Sequence, residues 1–326
     1  MNYFKKAFGI GITLAFVALP LVAWWKWDTL YDWYRLRNYT PEAALTTLAS
    51  QATMTDYAKH LFYVNHAQLV SGVNNFRQDC PESEQTIVLG CYHPIEDGIF
   101  IYNVTDSQLA GIQQVTAAHE MLHAAYGRLS TQQRDNVDNM LNNFYNNDEH
   151  DQRIIDEINL YKKTEPDSVM DEMHSVIGTE VGSLPPALET YYTRYFHNRS
   201  AVIGYANQYQ AAFTSRTSQI NEDDTRLADL KKQINSEEQD LSAQLNQINS
   251  DRARLDGLRS SNQIAAYNSA VPGFNAEVNS YNSGISRLQS DISSYNELVN
   301  ARNAIAAEIQ TLDNAIDTRL TTQQAQ

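Results

Sequence analysis

Apolar positions from Ile112 to Leu129 recur at helical spacing. Ile112, Val115, Leu122, Tyr126 and Leu129 fall three, four or seven residues apart, which predicts an amphipathic helix with one buried stripe. His119 stands four residues after Val115 and His123 four after that, so both histidines ride on the inward-facing stripe. Upstream, the runs TIVLGCY (86–92) and GIFIYNV (98–104) are separated by the turn residues Pro94, Asp97 and Gly98, which predicts a β-hairpin. A further apolar run, HLFYV (60–64), comes after a helix-start signal at Thr40, Pro41 and Glu42, with Thr40 as cap and Pro41 at the first helical position. Thr105 to Gln108 resembles a capping box from which the Ile112 helix begins.

Residues 165–186 predict another helix, capped by Asp167 or Ser168 and ended by Gly182, Pro185 and Pro186. Its interior is unusually polar. Asp171, Glu172, His174 and Glu180 stand among Val169, Met170, Met173, Val176 and Ile177, so some of these polar groups face inward, which is costly unless they are paired or bound to metal. From about Arg199 glycine and proline become scarce, and two heptad seams appear. One runs through Ile220, Leu227, Leu230, Ile234, Leu241, Leu245, Ile248 and Leu255; the other through Phe274, Val278, Tyr281, Ile285, Leu288, Ile292, Tyr295 and Val299. A break near residue 260 predicts an antiparallel helical hairpin, with a kinked continuation through Pro272 in the second arm as the variant. Tyr267, Phe274, Tyr281 and Tyr295 are each followed by Asn, which reads as core aromatics beside solvated amides.

Charge and targeting narrow the setting. The formal net charge of -15 over 326 residues argues against a nucleic-acid partner, because phosphates are bound by basic surfaces. The run from Ala7 to Trp25 is nearly uncharged and follows Lys5 and Lys6. It is long enough to cross a bilayer, and Trp24, Trp25 and Trp27 resemble an interfacial aromatic belt. An uncleaved single-pass anchor is the favoured reading, over a cleaved signal or a buried core helix. Lys26, Arg35 and Arg37 nearly balance the basic residues before the run, so charge alone does not orient it. Cys80 and Cys91, eleven apart, suit a short disulfide, with two unpaired thiols as the alternative. A disulfide implies an oxidising compartment and places the bulk of the chain outside the cytoplasm.

The chemistry concentrates in HEMLH, residues 119–123. Two histidines four apart on one helix face aim their rings at a common point and suit a tetrahedral zinc ion, while Glu120 between them is placed to take a proton from a zinc-activated water. A third histidine six residues on would complete one known pattern, but Leu129 holds that position. The third ligand therefore comes from elsewhere. HEMLH followed by a later helix carrying DEMHS (171–175) resembles the glutamate-type zincin metallopeptidases, in which a second helix supplies a zinc-binding glutamate.

That resemblance, over roughly residues 85–200, implies His119, His123 and Glu172 as zinc ligands, Glu120 as catalytic base and Ser175 at a small hydroxyl position. It also implies that GIFIY is the edge strand pairing with extended substrate. Glu180 is the rival ligand, near Glu172 on the same helix face; His174 reads first as a structural histidine, with a supporting partner or oxyanion donor as the alternative. Tyr191, Tyr192, Arg194 and His197 are offered as further donors, with core packing the favoured role for most of the aromatics. The expected fold is α+β, a zincin-like domain with a small antiparallel sheet. An anchor (1–37), a catalytic domain (38–198) and a helical hairpin coiled coil (199–326) divide the chain. The expected activity is hydrolysis of peptide bonds in a peptide or protein substrate by a membrane-anchored zinc enzyme. Other readings are a hydrolase of cell-wall amide bonds and an envelope scaffold with a structural zinc, built on a coiled coil that binds a partner or self-associates.

Overall fold

The computed structural model describes residues 27–81, 87–94, 98–148 and 151–319. The expected α+β class is corrected: 77% of the described residues are helical, with one small three-stranded sheet among them. The run Ala7–Trp25 lies outside the described residues, and no helix among those described is long and apolar enough to cross a membrane. The expected transmembrane helix is thus no part of the described fold.

The chain divides into two compact units, residues 1–211 with 314–326 and residues 212–313. In the first, α1 (Trp27–Leu36), α2 (Ala43–Gln51) and α3 (Asp56–Val64) precede β1 (Gln68–Val70) and α4 (Val73–Asp79). The helix expected with Thr40 as cap and Pro41 as its first residue starts two residues later, with Glu42 as N-cap and Ala43 first. HLFYV lies in α3 because Ala58, Leu61 and Phe62 repeat at helical spacing and the Thr55 side chain accepts from the Ala58 amide. That assignment is one reason the helix content outruns the sheet.

The predicted hairpin is present as β2 (Gly90–His93) and β3 (Gly98–Tyr102), antiparallel with Gly90 opposite Ile101. β1 joins it in parallel to give the order β1-β3-β2, so GIFIY is the central strand and β2 the edge. The expected edge role of GIFIY is therefore corrected. Thr105 to Gln108 makes no capping box: Asp106 caps a short 3-10 turn, and α5 (Ile112–Gly127) begins after Gly111.

α5 is the central helix, packed on α2, α3, the sheet and α8 (Val169–Glu180). Around it stand α6 (Thr131–Asn147), opened by a Ser130–Gln133 capping box, α7 (Gln152–Thr164) and α9 (Pro186–Tyr192). Gly178 lets α8 approach α5 closely, since a Cβ there would lie 2.6 Å from Leu122 Cδ1. Burial of Val115, Met121, Leu122 and Ala125 on one side and Met173, Val176 and Ile177 on the other fixes the two helices against each other.

The second unit is an antiparallel pair made by α10 (Arg199–Ser260), which starts in the first unit, and α11 (Ile264–Ile316). The turn falls at residues 261–263 with Asn262 left-handed (φ 57), and α11 continues through Pro272. Cross-pairs of the hairpin include Arg216–Glu308, Arg302–Asp224 and Gln233–Asp291. Leu245 and Ile292, expected in the seams, are exposed. A strict three-four spacing from Leu241 passes through Gln244 and Ile248, and Gln244 rather than Leu245 is partly buried.

Candidate metal centre

α5 presents His119 and His123 from adjacent turns toward the first turn of α8, which carries Asp171 and Glu172. Carboxylates in a first turn are favoured by the positive end of the helix dipole. His119 Nε2 lies 3.0 Å from His123 Nε2, 3.5 Å separates His119 Nε2 from Glu172 Oε2, and 3.5 Å separates His123 Nε2 from Glu172 Oε1. Donor atoms on a tetrahedral zinc at about 2.0–2.1 Å stand about 3.3–3.4 Å apart. Two imidazole nitrogens and a carboxylate at these separations fit that ion, and three protein ligands leave one position open, as a catalytic site needs.

Asp171 Oδ1 accepts from His123 Nδ1 at 2.8 Å, which orients the ring with Nε2 toward Glu172. The Tyr161 hydroxyl on α7 hydrogen-bonds Glu172. Burial disfavours charge on His123, but the Glu172 charge and the Asp171 hydrogen bond outweigh it and push this imidazole up to about 10. Burial raises Glu172, yet His123 and His119 bring it below the usual carboxylate range. The Glu172 carboxylate and the two imidazoles favour one another's charged forms, while the imidazoles oppose each other.

Glu120 is buried, lines the same cavity as the ligand trio and packs against Gly90 of β2. Gly90 makes room for it. A Cβ at position 90 would lie 2.7 Å from both Glu120 Cγ and Thr116 Cγ2 and closer still to Glu120 Oε1. A cavity of about 420 Å³ opens over the centre, lined by His119, Glu120, His123 and Glu172, by Gly90, Cys91 and Tyr92 of β2, and by Glu157, Tyr161 and Glu165. No Lys or Arg is among its lining residues, so the cavity attracts cations. Burial and the charge of Glu180 push Glu157 up to about 7. The β2 rim is braced at Val88, whose carbonyl accepts from Thr318 Oγ1 at 2.6 Å.

In comparisons with known proteins, no family model, no curated protein and no solved structure matches this chain. The zincin resemblance thus rests on its two short motifs.

The other residues marked in the sequence lie outside the ligand trio, although Glu180 lines the same cavity. Glu180 pairs with Arg153 at 2.6 Å and accepts from Gln210 at 2.8 Å, outside the ligand group. His174 is fully buried among Tyr126, Tyr191, Tyr192 and Tyr195, bonds Tyr191 through Nε2 at 2.9 Å, and is driven down to about 3 by burial. It cannot act as an oxyanion donor from there. Ser175 is buried in α8 and does not line the cavity. Tyr191 and Tyr192 pack around His174, Arg194 stacks over Tyr57, and His197 is exposed. None of these four lines the cavity. Cys80 and Cys91 form a disulfide, which takes up the sulfurs of the second potential metal group, Cys80, Cys91 and His93.

Asp171, Tyr161, Glu157 and Gly90 were not assigned roles from sequence. Asp171 had a signal, as the acidic residue directly before Glu172. A glycine inside the apolar run TIVLGCY is also a sign of close approach.

Proposed function

We propose that this protein is a zinc-dependent peptidase, associated with a membrane and working in an oxidising compartment. The observation that carries the reading is the convergence of His119 Nε2, His123 Nε2 and Glu172 on one point beside a buried Glu120. His119, His123 and Glu172 would hold the ion. When bound, zinc supplies Lewis acidity, polarising a carbonyl and acidifying water at neutral pH.

The chain's own groups supply the rest. Glu120 accepts the proton of the attacking water and returns it to the departing amine nitrogen. Asp171 keeps His123 oriented. As the sheet's edge strand, β2 offers its backbone to an extended peptide, with Gly90, Cys91 and Tyr92 on the cavity wall. The oxidising setting is supported by the Cys80–Cys91 disulfide, and membrane association by the uncharged run Ala7–Trp25.

Glu120→Gln keeps the size of the side chain and removes its basicity. With an unfolded protein as substrate, zinc-loaded wild type yields new amino termini, and Glu120→Gln at equal zinc content yields none above background. Equal cleavage by the variant would remove Glu120 from the mechanism.

A further inference from the structure

α1 has two faces of different character. Its inner face is bolted to the first unit: Asp32 accepts from Arg128 at 2.6 and 2.8 Å and lies 2.7 Å from His60 Nε2, and Arg35 donates to the Val64 carbonyl at 3.1 Å. Leu30, Trp33, Tyr34 and Arg37 follow the i, i+3, i+4, i+7 pattern. Leu30 is two positions from Asp32, about 200° round the helix, so these residues face away. Leu30 is 49% exposed, Tyr31 39%, Trp33 66% and Tyr34 56%. Of the seven large apolar side chains exposed among the described residues, these are four, gathered in five consecutive positions. Such clustering is not the scatter expected of an ordinary surface.

We propose that this outer face of α1 rests in the interfacial layer of a lipid bilayer. Three observations select lipid. The side chains are mainly Trp and Tyr, whose apolar rings and polar tips suit the boundary between hydrocarbon and water, and the Arg37 guanidinium lies 4.3 Å over the Tyr34 ring with its charge at the same level. The uncharged run Ala7–Trp25 ends two residues before α1, and Trp24, Trp25 and Trp27 make the aromatic character continuous from that run into the exposed face. A ten-residue helix with four such side chains offers roughly a few hundred Å², well short of the about 800 Å² per partner of a stable protein interface.

Because Arg128 is the C-cap of α5, the same contact that holds α1 ties a lipid-bound face to the helix bearing His119 and His123. The cavity would then have a set orientation to the surface. This inference does not depend on the activity of the centre.

The test uses the full chain with Trp24→Phe, Trp25→Phe and Trp27→Phe, which leaves Trp33 as the sole tryptophan. It is reconstituted into phosphatidylcholine vesicles carrying bromine high or deep on the acyl chains. The expected result is blue-shifted Trp33 emission, quenched more by the shallow bromines than by the deep ones and shielded from aqueous acrylamide. Any outcome without lipid quenching overturns the proposal. Acrylamide access would leave the face in water, protection that rises with protein concentration would make its occupant a second copy, and concentration-independent protection would assign it to the chain's own N-terminal segment.

Discussion

Removing the Asp171 carboxylate separates the supporting network from the ligands themselves. Asp171 touches no cation in the proposed site. It accepts the Nδ1 proton of His123 at 2.8 Å, and without it that ring can rotate or change tautomer, turning its lone pair away from Glu172. Two effects oppose each other in Asp171→Ala. The buried imidazole loses a partner that favours its protonated form, so protons compete less with the metal; it also loses orientation and basicity as a ligand. Carboxylates that orient ligating histidines are worth about 10–100-fold in metal affinity, or about 1.4–2.7 kcal/mol, so the second effect dominates. Competitive titration with a zinc-sensitive chelator at pH 7.5 measures it, with exposed Asp167→Ala as the matched control. Wild-type affinity in Asp171→Ala, with the fold intact by circular dichroism, would refute the role given to this contact.

Other consequences follow from the same structure. Gly90→Ala pushes Glu120 aside by about 1 Å, and misplacements of that size cost on the order of 100-fold in turnover, so peptide cleavage falls by about that factor while zinc content barely changes and the overpacking lowers stability by about 1–3 kcal/mol. Zinc binding at pH 7 releases protons because His123 holds one in the metal-free site, so affinity rises with pH; calorimetry in buffers of different ionisation enthalpy counts them. Asp32 is raised by burial but brought below its ordinary value by Arg128 and His60, so its contribution to stability is whole above about pH 4 and is lost as pH falls through the depressed value. Since Arg128 is 24% exposed, Asp32→Asn costs about 1–3 kcal/mol, between surface and buried pairs, and flattens the acid limb of denaturant midpoint against pH.

The legible parts of the sequence were those written in local periodicity. The Val115–His119–His123 stripe placed both histidines on the buried face of α5, the turn residues between 92 and 98 marked the hairpin, and the heptads marked the long helical pair. What local pattern could not give was pairing at a distance. β1 is three residues long and joins β3 from across α4, with no periodicity of its own, so the strand called an edge proved central. The choice between Glu172 and Glu180 was equally hidden. Both sit toward one side of α8, and what separates them is Arg153, a cation on α7 that pairs with Glu180 at 2.6 Å and holds it in another network. The buried polar side chains of α8 were foreseen as a group, yet His174 answers to tyrosines rather than to the ion site. Their roles are set by residues of α5, α7 and α9, which no reading of α8 alone contains.

The central claim is that His119, His123 and Glu172 form one zinc site. Bound zinc per chain, measured by mass spectrometry of metal content on wild type, Glu172→Ala and Glu180→Ala purified without chelators, tests it most directly. The account predicts one zinc in wild type and in Glu180→Ala and loss in Glu172→Ala. No zinc in wild type after it is supplied, or loss confined to Glu180→Ala, would contradict it.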